Sequence, residues 1–281
     1  DGKYINFASN NYLGLANNEE VKSAVKAAID QYGIGTCASR MAIGNTKAHL
    51  ECETKLSEFV GVEATVVTSG GYLTNIGVIP TVMDRAFLFE KRLHKKPDVG
   101  VIFSDEKNHA SIVDGIRLSK AERVIYKHLD MEDLENKIKP YADRRKLIVS
   151  DAVFSVDGDI VPLNSLVRIK EKYGAMLMLD EAHSFGVLGN RGRGIAEYFG
   201  IDPKKIDINM GTLSKALGSV GGYIAGSKIL VDFVRAAASP FVLSAGPIAP
   251  SFAAGTTKAI EIIENHPDIV RNLQNNVQAV K

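Results

Sequence analysis

The stretch Met210-Gly-Thr-Leu-Ser-Lys-Ala-Leu-Gly-Ser-Val-Gly-Gly-Tyr223 carries the strongest structural signal in the chain. It follows the apolar run 206–210 and leads into a second run, 223–225, so it predicts a turn between two β-strands with Lys215 on that turn. A lysine held there can be partly desolvated, which lowers the pKa of its amine and makes the amine a nucleophile toward an aldehyde. Taken alone, Lys215 also fits a solvated lysine in a glycine-rich loop.

Length, composition and charge exclude several classes of protein. A chain of 281 residues can form one large domain or two smaller ones around a substantial core. Its formal net charge of +1 gives no electrostatic case for binding nucleic acid or an anionic membrane. No apolar run approaches the roughly 20 residues that a membrane-spanning helix needs. The two cysteines, Cys37 and Cys52, form no CxxC motif and fit a reducing compartment, so we expect a cytoplasmic enzyme.

Residue spacing disfavours two other kinds of site. The six histidines show neither an HxxxH motif nor a Cys/His pattern, and we therefore expect no metal site. The glycine-rich stretch 189–194 superficially resembles a dinucleotide-binding loop. It does not lie directly between a strand and a helix, as that fingerprint requires, so we predict an ordinary loop there.

Apolar runs and helical patterns alternate along most of the chain. The runs are continuously apolar, which is typical of parallel strands that helices cover on both faces. We therefore predict an α/β fold with a mostly parallel sheet, whose ligand lies outside the carboxyl ends of the strands. The predicted strands are 64–68, 99–103, 123–126, 146–150, 175–179, 206–210 and 223–225, and the predicted helices are 19–32, 111–118, 131–139, 163–173, 229–238 and 247–265. Further helices are predicted near Tyr72 and after Thr46, the latter with Leu50, Leu56, Phe59 and Val60 on its apolar face.

Five polar clusters follow predicted strands and should meet at one edge of the sheet. A lone carboxylate after a strand is often only a helix cap, and an isolated histidine is more often structural than catalytic. Together the clusters offer what pyridoxal phosphate needs: a lysine for the aldehyde, an aspartate for the pyridine nitrogen, imidazoles for the ring, and hydroxyl and N–H groups for the phosphate. They are Ser69-Gly-Gly-Tyr72, Asn108-His109, Ser155, Asp180 with His183, and Thr212 with Lys215.

With these residues in order, nearly the whole chain resembles the α-oxoamine synthases. This family consists of pyridoxal-phosphate-dependent acyltransferases with the aspartate-aminotransferase fold, known as fold type I. The order and spacing of several short motifs carry the resemblance. They are Asn11-Tyr-Leu-Gly14, the segment 35–44, Ser69-Gly-Gly-Tyr72, Asn108-His-Ala-Ser-Ile-Val-Asp-Gly115, Val153-Phe-Ser-Val-Asp-Gly158, Asp180-Glu-Ala-His-Ser-Phe-Gly186, the loop 189–194 and Gly211-Thr-Leu-Ser-Lys-Ala-Leu-Gly218.

The resemblance implies roles for the residues around the cofactor ring. Lys215 would join the cofactor aldehyde, and Asp180 would pair with the protonated pyridine nitrogen. His109 would stack on the ring and face the substrate. His183 and Ser155 would form hydrogen bonds around the phenolic oxygen. The four implied catalytic residues are therefore Lys215, Asp180, His183 and His109.

The resemblance also assigns the cofactor phosphate and the substrate carboxylate. Gly71, Tyr72 and Thr212 would bind the phosphate, joined by Ser244 from a partner subunit. Asn11 would sense the carboxylate of the amino-acid substrate. We accordingly expect a homodimer with the active site at its interface.

A domain division follows from the same resemblance. We expect an N-terminal segment (1–45), a large cofactor-binding domain (46–240) and the start of a small C-terminal domain (241–281). The rest of that small domain, with an arginine that would grip the substrate carboxylate, would lie beyond Lys281. The stretch 87–97 is rich in basic residues and predicts an exposed insertion, which we expect to contact the acyl carrier or another subunit.

The implied reaction joins a small amino acid (glycine, alanine or serine) to an acyl thioester, either acyl-CoA or an acyl-carrier thioester. Carbon dioxide is usually lost and an α-aminoketone results. Within the family, 8-amino-7-oxononanoate synthase and glycine C-acetyltransferase look nearest, with serine palmitoyltransferase as an alternative. Other readings are a fold-type-I aminotransferase or lyase, and a non-catalytic partner subunit.

Overall fold

The computed structural model describes residues 6–85, 100–242 and 247–280. The insertion predicted at 87–97 and the phosphate contact predicted at Ser244 lie outside the described residues, so both stay predictions. Within the described ranges, one seven-stranded sheet forms the centre of the molecule.

The central sheet is built from short strands. They are β1 (Ala64–Thr68), β2 (Val101–Asp105), β3 (Glu122–Tyr126), β4 (Lys146–Asp151), β5 (Met176–Asp180), β6 (Ile208–Thr212) and β7 (Gly222–Gly226). Their order across the sheet is β1-β7-β6-β5-β4-β2-β3. Strand β7 pairs antiparallel with β1 and β6, and the other neighbouring pairs are parallel. Six strands therefore end at the same edge of the sheet.

Helices cover both faces of this sheet. They are α1 (Glu19–Tyr32), α2 (Lys47–Val60), α3 (Gly71–Pro80), α4 (Ala110–Leu118), α5 (Met131–Ile138), α6 (Leu163–Tyr173), α7 (Ile195–Phe199), α8 (Lys228–Ala237), α9 (Ser239–Val242), α10 (Pro250–Asn265) and α11 (Asp268–Val280). Short 3₁₀ turns lie at Leu15–Asn17, Lys139–Tyr141 and Pro203–Lys205, and a π-helical turn at Thr81–Arg85 extends α3. None of the described helices is both long and apolar enough to cross a bilayer.

Successive side chains of one strand enter different cores. On β7, Tyr223 packs with the cluster formed by α1, α2 and α10, whereas Ile224 packs with the cluster formed by α3, α4 and α8. On β5, Leu177 joins a third cluster with α5 and α6, while Met178 faces the α3–α4 side. Because both faces of the sheet are buried, the strands carry continuous apolar runs, and the predicted α/β arrangement follows from that.

Helix α2 shows one failure of the sequence pattern. Thr46 precedes the helix as predicted, and its backbone N–H donates to His49 Nδ1 over 3.1 Å. Leu56, Phe59 and Val60 are buried, but the prediction for Leu50 was wrong, because 48% of its surface is exposed. Six residues span about 600° of helix, so Leu50 lies about 240° from Leu56 and leaves the buried face.

Candidate active site

The carboxyl edge of the parallel strands holds a cavity of about 200 Å³. The segments that follow β1, β2, β4, β5 and β6 meet there, since the carboxyl ends of those strands lie side by side. Residues predicted from the sequence supply much of its lining, namely Gly71, Tyr72, His109, Ser155, Asp180, His183, Thr212 and Lys215. Other residues that line it are Ser111, Asp151, Ala182, Met210 and Ser214.

A chain of hydrogen bonds begins at the Lys215 amine. Lys215 Nζ lies 2.6 Å from His183 Nε2, and His183 Nδ1 lies 2.7 Å from the Tyr12 hydroxyl oxygen. The Tyr12 hydroxyl donates its hydrogen to Asn10 Oδ1 over 3.1 Å. Tyr12 must therefore accept from His183 Nδ1–H, which leaves His183 Nε2 as the acceptor for Lys215.

Burial sets the protonation of the two central groups in this chain. It lowers the pKa of His183 to about 4, with the positive charge of Lys215 acting in the same direction. His183 is consequently neutral near pH 7 and able to accept a hydrogen bond. Burial also lowers the pKa of Lys215, although the carboxylates of Asp180 and Asp151 oppose this effect. The free amine is thus more available than in an exposed lysine.

Asp180 ends β5 with its carboxylate buried. Oδ2 accepts from Asn75 Nδ2 over 2.8 Å, and Oδ1 accepts from the Ala182 N–H over 3.0 Å. Burial raises the pKa of Asp180, while these two hydrogen bonds and the charge of Lys215 favour the ionised form. A carboxylate this deeply buried is stabilised by a cationic partner inside the cavity.

A second carboxylate, Asp151, stands beside Asp180. The two residues are direct partners where β4 and β5 pair. Asp151 Oδ2 accepts from the His109 backbone N–H over 2.7 Å. Burial, reinforced by the charge of Asp180, raises the pKa of Asp151 to about 8. Burial raises the pKa of both carboxyl groups, and two neighbouring negative charges oppose each other, so Asp151 and Asp180 take up and release protons as a pair.

His109 sits at the start of α4, where it caps the helix. Its Nδ1 lies 2.7 Å from Ser111 Oγ and accepts from the Ser111 N–H over 3.2 Å. The backbone N–H of His109 is held by Asp151, as described above. The imidazole is thereby fixed from two sides at the wall of the cavity.

The start of α3 can bind an anion. This helix begins at Gly71, directly after β1, and the first N–H groups of a helix have no partners within it and carry partial positive charge. Thr212, at the end of β6, packs against this terminus, because a Cβ at Gly71 would lie only 3.3 Å from Thr212 Cβ. The Thr212 and Ser214 hydroxyls lie 2.8 Å apart beside it. Together these groups suit a phosphate.

The remaining predicted residues are less constrained. The Tyr72 hydroxyl donates to Asp114 Oδ2 over 2.9 Å, and half of the side chain is exposed. Ser155 is exposed at the mouth of the cavity, in the hairpin closed by the Val153–Ile160 bridge. Asn11 is not among the cavity-lining residues; its carboxamide oxygen accepts from the Ala16 N–H over 3.3 Å. Its role toward the substrate stays a prediction.

Four residues of the site were missed by the sequence reasoning. Asp151 follows an apolar run in the same way as Asp180, and Tyr12 lies inside a quoted motif, so both had a usable signal. Ser111 also lies inside one of the family motifs, whereas Asn75 is a polar residue within a helical segment and nothing in its local pattern indicates a site. Only the packing of α3 against α4 and β5 brings Asn75 next to Ser111 and Asp180.

The donor set fits pyridoxal phosphate. Three kinds of group face one cavity: a half-buried lysine, a buried carboxylate and a helix N-terminus. The lysine suits the aldehyde of that molecule, the carboxylate suits its protonated ring nitrogen, and the helix N-terminus suits its phosphate. Among residues 6–85, 100–242 and 247–280, no group of three or more His, Cys, Asp or Glu could hold a metal ion.

Comparison with known proteins gives a consistent family. A family model described as aminotransferase class I and II matches residues 2–281. The 8-amino-7-oxononanoate synthase of Thermosipho melanesiensis is 45% identical over 283 residues, covering 100% of this chain and 68% of that protein. Further curated 8-amino-7-oxononanoate synthases match at 42 to 46% identity.

Solved structures agree with the sequence relatives. A serine palmitoyltransferase from S. paucimobilis with a bound PLP–myriocin aldimine matches with TM-score 0.87 and 33% identity, over 95% of this chain and 64% of that one. An 8-amino-7-oxononanoate synthase from Francisella tularensis matches with TM-score 0.81 and 28% identity, over 99% and 74%. This chain thus spans about two thirds of the length of several relatives. The predicted α-oxoamine synthase family and fold type I are confirmed by these matches.

Proposed function

The chain belongs to the aminotransferase class I and II family, and from that premise we propose that it is a pyridoxal-phosphate-dependent acyltransferase of the α-oxoamine synthase type. It condenses a small amino acid with an acyl thioester, and the 8-amino-7-oxononanoate synthase reaction is the best candidate. The observation that carries this proposal is the half-buried Lys215 amine, 2.6 Å from His183, in the cavity that also holds Asp180.

The substrates of that reaction follow from the name of its product. In 8-amino-7-oxononanoate, carbon 8 carries the amino group and carbon 9 is a methyl group, so these two carbons correspond to the Cα and Cβ of alanine without its carboxylate. Carbons 1 to 7 form an acyl group that ends in a second carboxylate, with the ketone at the former thioester carbon. We therefore propose alanine and a seven-carbon dicarboxylic acyl thioester, with loss of carbon dioxide and of the thiol.

Residues from several parts of the chain would hold the cofactor. Lys215 is the proposed site of covalent attachment, and Asp180 is the proposed partner of the ring nitrogen. The N-terminus of α3, with Gly71, Tyr72 and Thr212, is proposed for the phosphate. His109, His183 and Ser155 surround the ring in this proposal, and Ser244 of a second subunit adds to the phosphate site.

When bound, pyridoxal phosphate supplies an aldehyde that condenses with amines and a protonated ring that draws electrons from the substrate Cα. Lys215 Nζ, with its lowered pKa, removes and returns the proton at that carbon. Neutral His183 orients the amine through Nε2, and the Tyr12 hydroxyl fixes the His183 ring. Ionised Asp180 keeps the ring nitrogen protonated, because a buried negative charge favours a positive neighbour.

A thiol-release assay tests the proposal. Glycine, alanine and serine are each combined with short, long and dicarboxylic acyl-CoA, and free thiol is followed with a chromogenic disulfide. We expect the highest rate for alanine with the seven-carbon dicarboxylic acyl-CoA. An aminotransferase would release no thiol and would require a keto acid, and a non-catalytic subunit would be inactive in every combination. Either result would refute the proposal.

A serine palmitoyltransferase-like activity is the second candidate. It is favoured by the structural match with TM-score 0.87, which exceeds the 0.81 of the matched 8-amino-7-oxononanoate synthase. The sequence relatives at 45% identity weigh more for the first candidate. In the same assay, a preference for serine with a long monocarboxylic acyl-CoA would select this second activity.

A homodimer in the cytoplasm completes the proposal. The loop 33–45 exposes the large apolar side chains Ile34, Met41 and Ile43 to the extent of 87%, 58% and 85%, which supports a subunit contact there. Both cysteines are free thiols, which fits a reducing compartment. Light scattering of the purified protein tests the dimer, since a monomeric mass would contradict a site shared between subunits.

A further inference from the structure

Asn75 contacts residues of the site but has no role in the proposed reaction. It lies in α3 and its side chain is fully buried. Its Nδ2 is 2.8 Å from Asp180 Oδ2 and 2.8 Å from Ser111 Oγ, so one amide group contacts the strand that carries Asp180 and the helix that follows His109. Its Oδ1 is buried without a hydrogen-bond partner among the described residues.

The charge of Asp180 dictates the orientation of this amide. An ionised carboxylate only accepts hydrogen bonds, so the carboxamide must present Nδ2 and not Oδ1 to Asp180. The same nitrogen then offers its second hydrogen to Ser111 Oγ. This arrangement explains the unpaired Oδ1 of Asn75, because turning the amide over would place that oxygen against the carboxylate and lose both bonds.

Asn75 is connected to His109 through Ser111. Ser111 Oγ accepts from the Asn75 amide, and because the Ser111 backbone N–H makes His109 Nδ1 an acceptor, the Ser111 hydroxyl donates to that nitrogen, 2.7 Å away. The Ser111 N–H also points to Nδ1, over 3.2 Å. His109 Nδ1 therefore accepts two hydrogen bonds, and the proton of the neutral ring resides on Nε2.

Close packing holds the amide in place. A Cβ added to Gly115 in α4 would lie 2.8 Å from the backbone oxygen of Asn75, so the two helices approach each other more closely than a larger residue allows. The Asn75 backbone cannot move away from Asp180 without disrupting the close packing of α3 against α4. The position of the amide is thus set by the fold and not by the flexibility of its side chain.

We propose that Asn75 is a positioning residue that holds the carboxylate of Asp180 ionised and aimed into the cavity and, through Ser111, sets His109 as the Nε2–H tautomer. This inference rests on the proposed function. One buried amide then supports both Asp180, the proposed partner of the ring nitrogen, and His109, the imidazole proposed for the ring face. Asn75 itself does not line the cavity.

The substitution Asn75→Leu tests the contact with Asp180, since leucine has a similar shape and no donor. The native protein and the variant are loaded with pyridoxal phosphate labelled with ¹⁵N in the ring, and the ring-nitrogen chemical shift is measured across pH. We expect the pyridinium signal of the native protein to move toward the neutral-pyridine position in the variant. We also expect cofactor affinity to fall about tenfold or more, as for a lost hydrogen bond to a charged group.

The substitution Ser111→Ala separates the two halves of the proposal. It should leave the ring-nitrogen signal at its native position, because Asn75 still reaches Asp180. The imidazole ¹⁵N shifts of His109, measured in histidine-labelled protein without cofactor, should lose the pure Nε2–H pattern in both variants. Circular dichroism confirms folding, and Asn75→Ser replaces Asn75→Leu if the latter does not fold.

Two results would overturn the proposal. One is a native ring-nitrogen signal and a native cofactor affinity in the Asn75 variant, and the other is an unchanged His109 tautomer in both variants. Failure of the proposed function gives a different result: the native protein would then show no cofactor absorbance, while the cofactor-free His109 measurement would still decide the hydrogen-bond chain.

Discussion

Acid should destabilise the cofactor-free protein through His183, and His183→Asn should remove this sensitivity. Burial holds the pKa of His183 at about 4, against an ordinary value of 6.5. An unfolded chain therefore takes up a proton at His183 as the pH falls through 6.5, whereas the folded chain does so only near pH 4. The free energy of unfolding consequently decreases between these two pH values and is fully present above the upper one.

The magnitude follows from the size of this gap. About 2.5 pKa units at roughly 1.36 kcal/mol per unit give about 3.4 kcal/mol. His183 is only partly buried, so solvent screening reduces the expected loss to about 1 to 3 kcal/mol. That is a large share of a typical stability of about 5 to 15 kcal/mol. Asparagine can keep a donor near Tyr12 but does not titrate in this range.

His128 provides a control of opposite sign. Its Nδ1 and Nε2 lie 2.9 and 3.1 Å from carboxylate oxygens of Asp105 and Asp159. Burial by itself would lower the pKa of His128, but the hydrogen bonds to Asp105 and Asp159 outweigh burial and raise it. Protonated His128 thus contributes stability that is full below its unfolded pKa and is lost as the pH rises through the folded one. His128→Asn should therefore weaken the protein selectively in acid.

Urea unfolding between pH 4 and pH 8 measures both effects. The midpoint of native protein should fall with acid, that of His183→Asn should fall less, and that of His128→Asn should fall more. For slopes of about 1 to 3 kcal/mol per molar urea, the differences amount to roughly 1 M. Parallel pH profiles for native protein and His183→Asn would show that His183 is not held neutral by the fold, and the hydrogen-bond assignment from Lys215 to Tyr12 would fall with it.

Three further substitutions test the site and its support. Lys215→Ala should abolish covalent attachment of the cofactor, read as loss of the borohydride-fixed peptide label; a labelled variant would contradict the assignment. Asp180→Asn should still bind the cofactor while kcat falls at least about a thousandfold, because a neutral amide cannot hold the ring nitrogen protonated. Gly194→Ala should lower stability by at least about 2 kcal/mol in calorimetry, since φ is +95° and the new Cβ would collide with the Glu181 carboxylate. The control Gly200→Ala, with φ of +64° and open space around it, should cost about 1 kcal/mol.

The strand predictions succeeded because burial on both faces leaves a continuous apolar run. Their errors lie at the polar ends. The predicted strand 99–103 is shifted by two residues from β2, which ends at Ser104-Asp105, and 206–210 is shifted in the same way from β6, which ends at Thr212. The polar residues at these ends form backbone hydrogen bonds within the sheet. Hydropathy does not detect them, so each predicted strand begins and ends two residues too close to the N-terminus.

The hydrogen-bond partners inside the site were out of reach of the sequence. Tyr12 precedes His183 by 171 positions, and Asn75 precedes Asp180 by 105. No local pattern relates residues so far apart. Leu50 shows the same limit at short range, because an apolar residue in a helix is buried only if its turn faces a neighbour.

By itself, the sequence determined the alternation of strands and helices, the turn that carries Lys215, and the presence of reactive side chains after the strands. These properties are local, since hydropathy over a few residues and glycine in a turn act within one element. Only the tertiary structure decided which atoms of those side chains contact one another and which further residues support them. Placing β4 beside β5 set Asp151 against Asp180, and packing α3 on α4 put Asn75 between Asp180 and Ser111. Such contacts depend on strand order and helix packing, which arise from the whole chain burying its apolar surface at once.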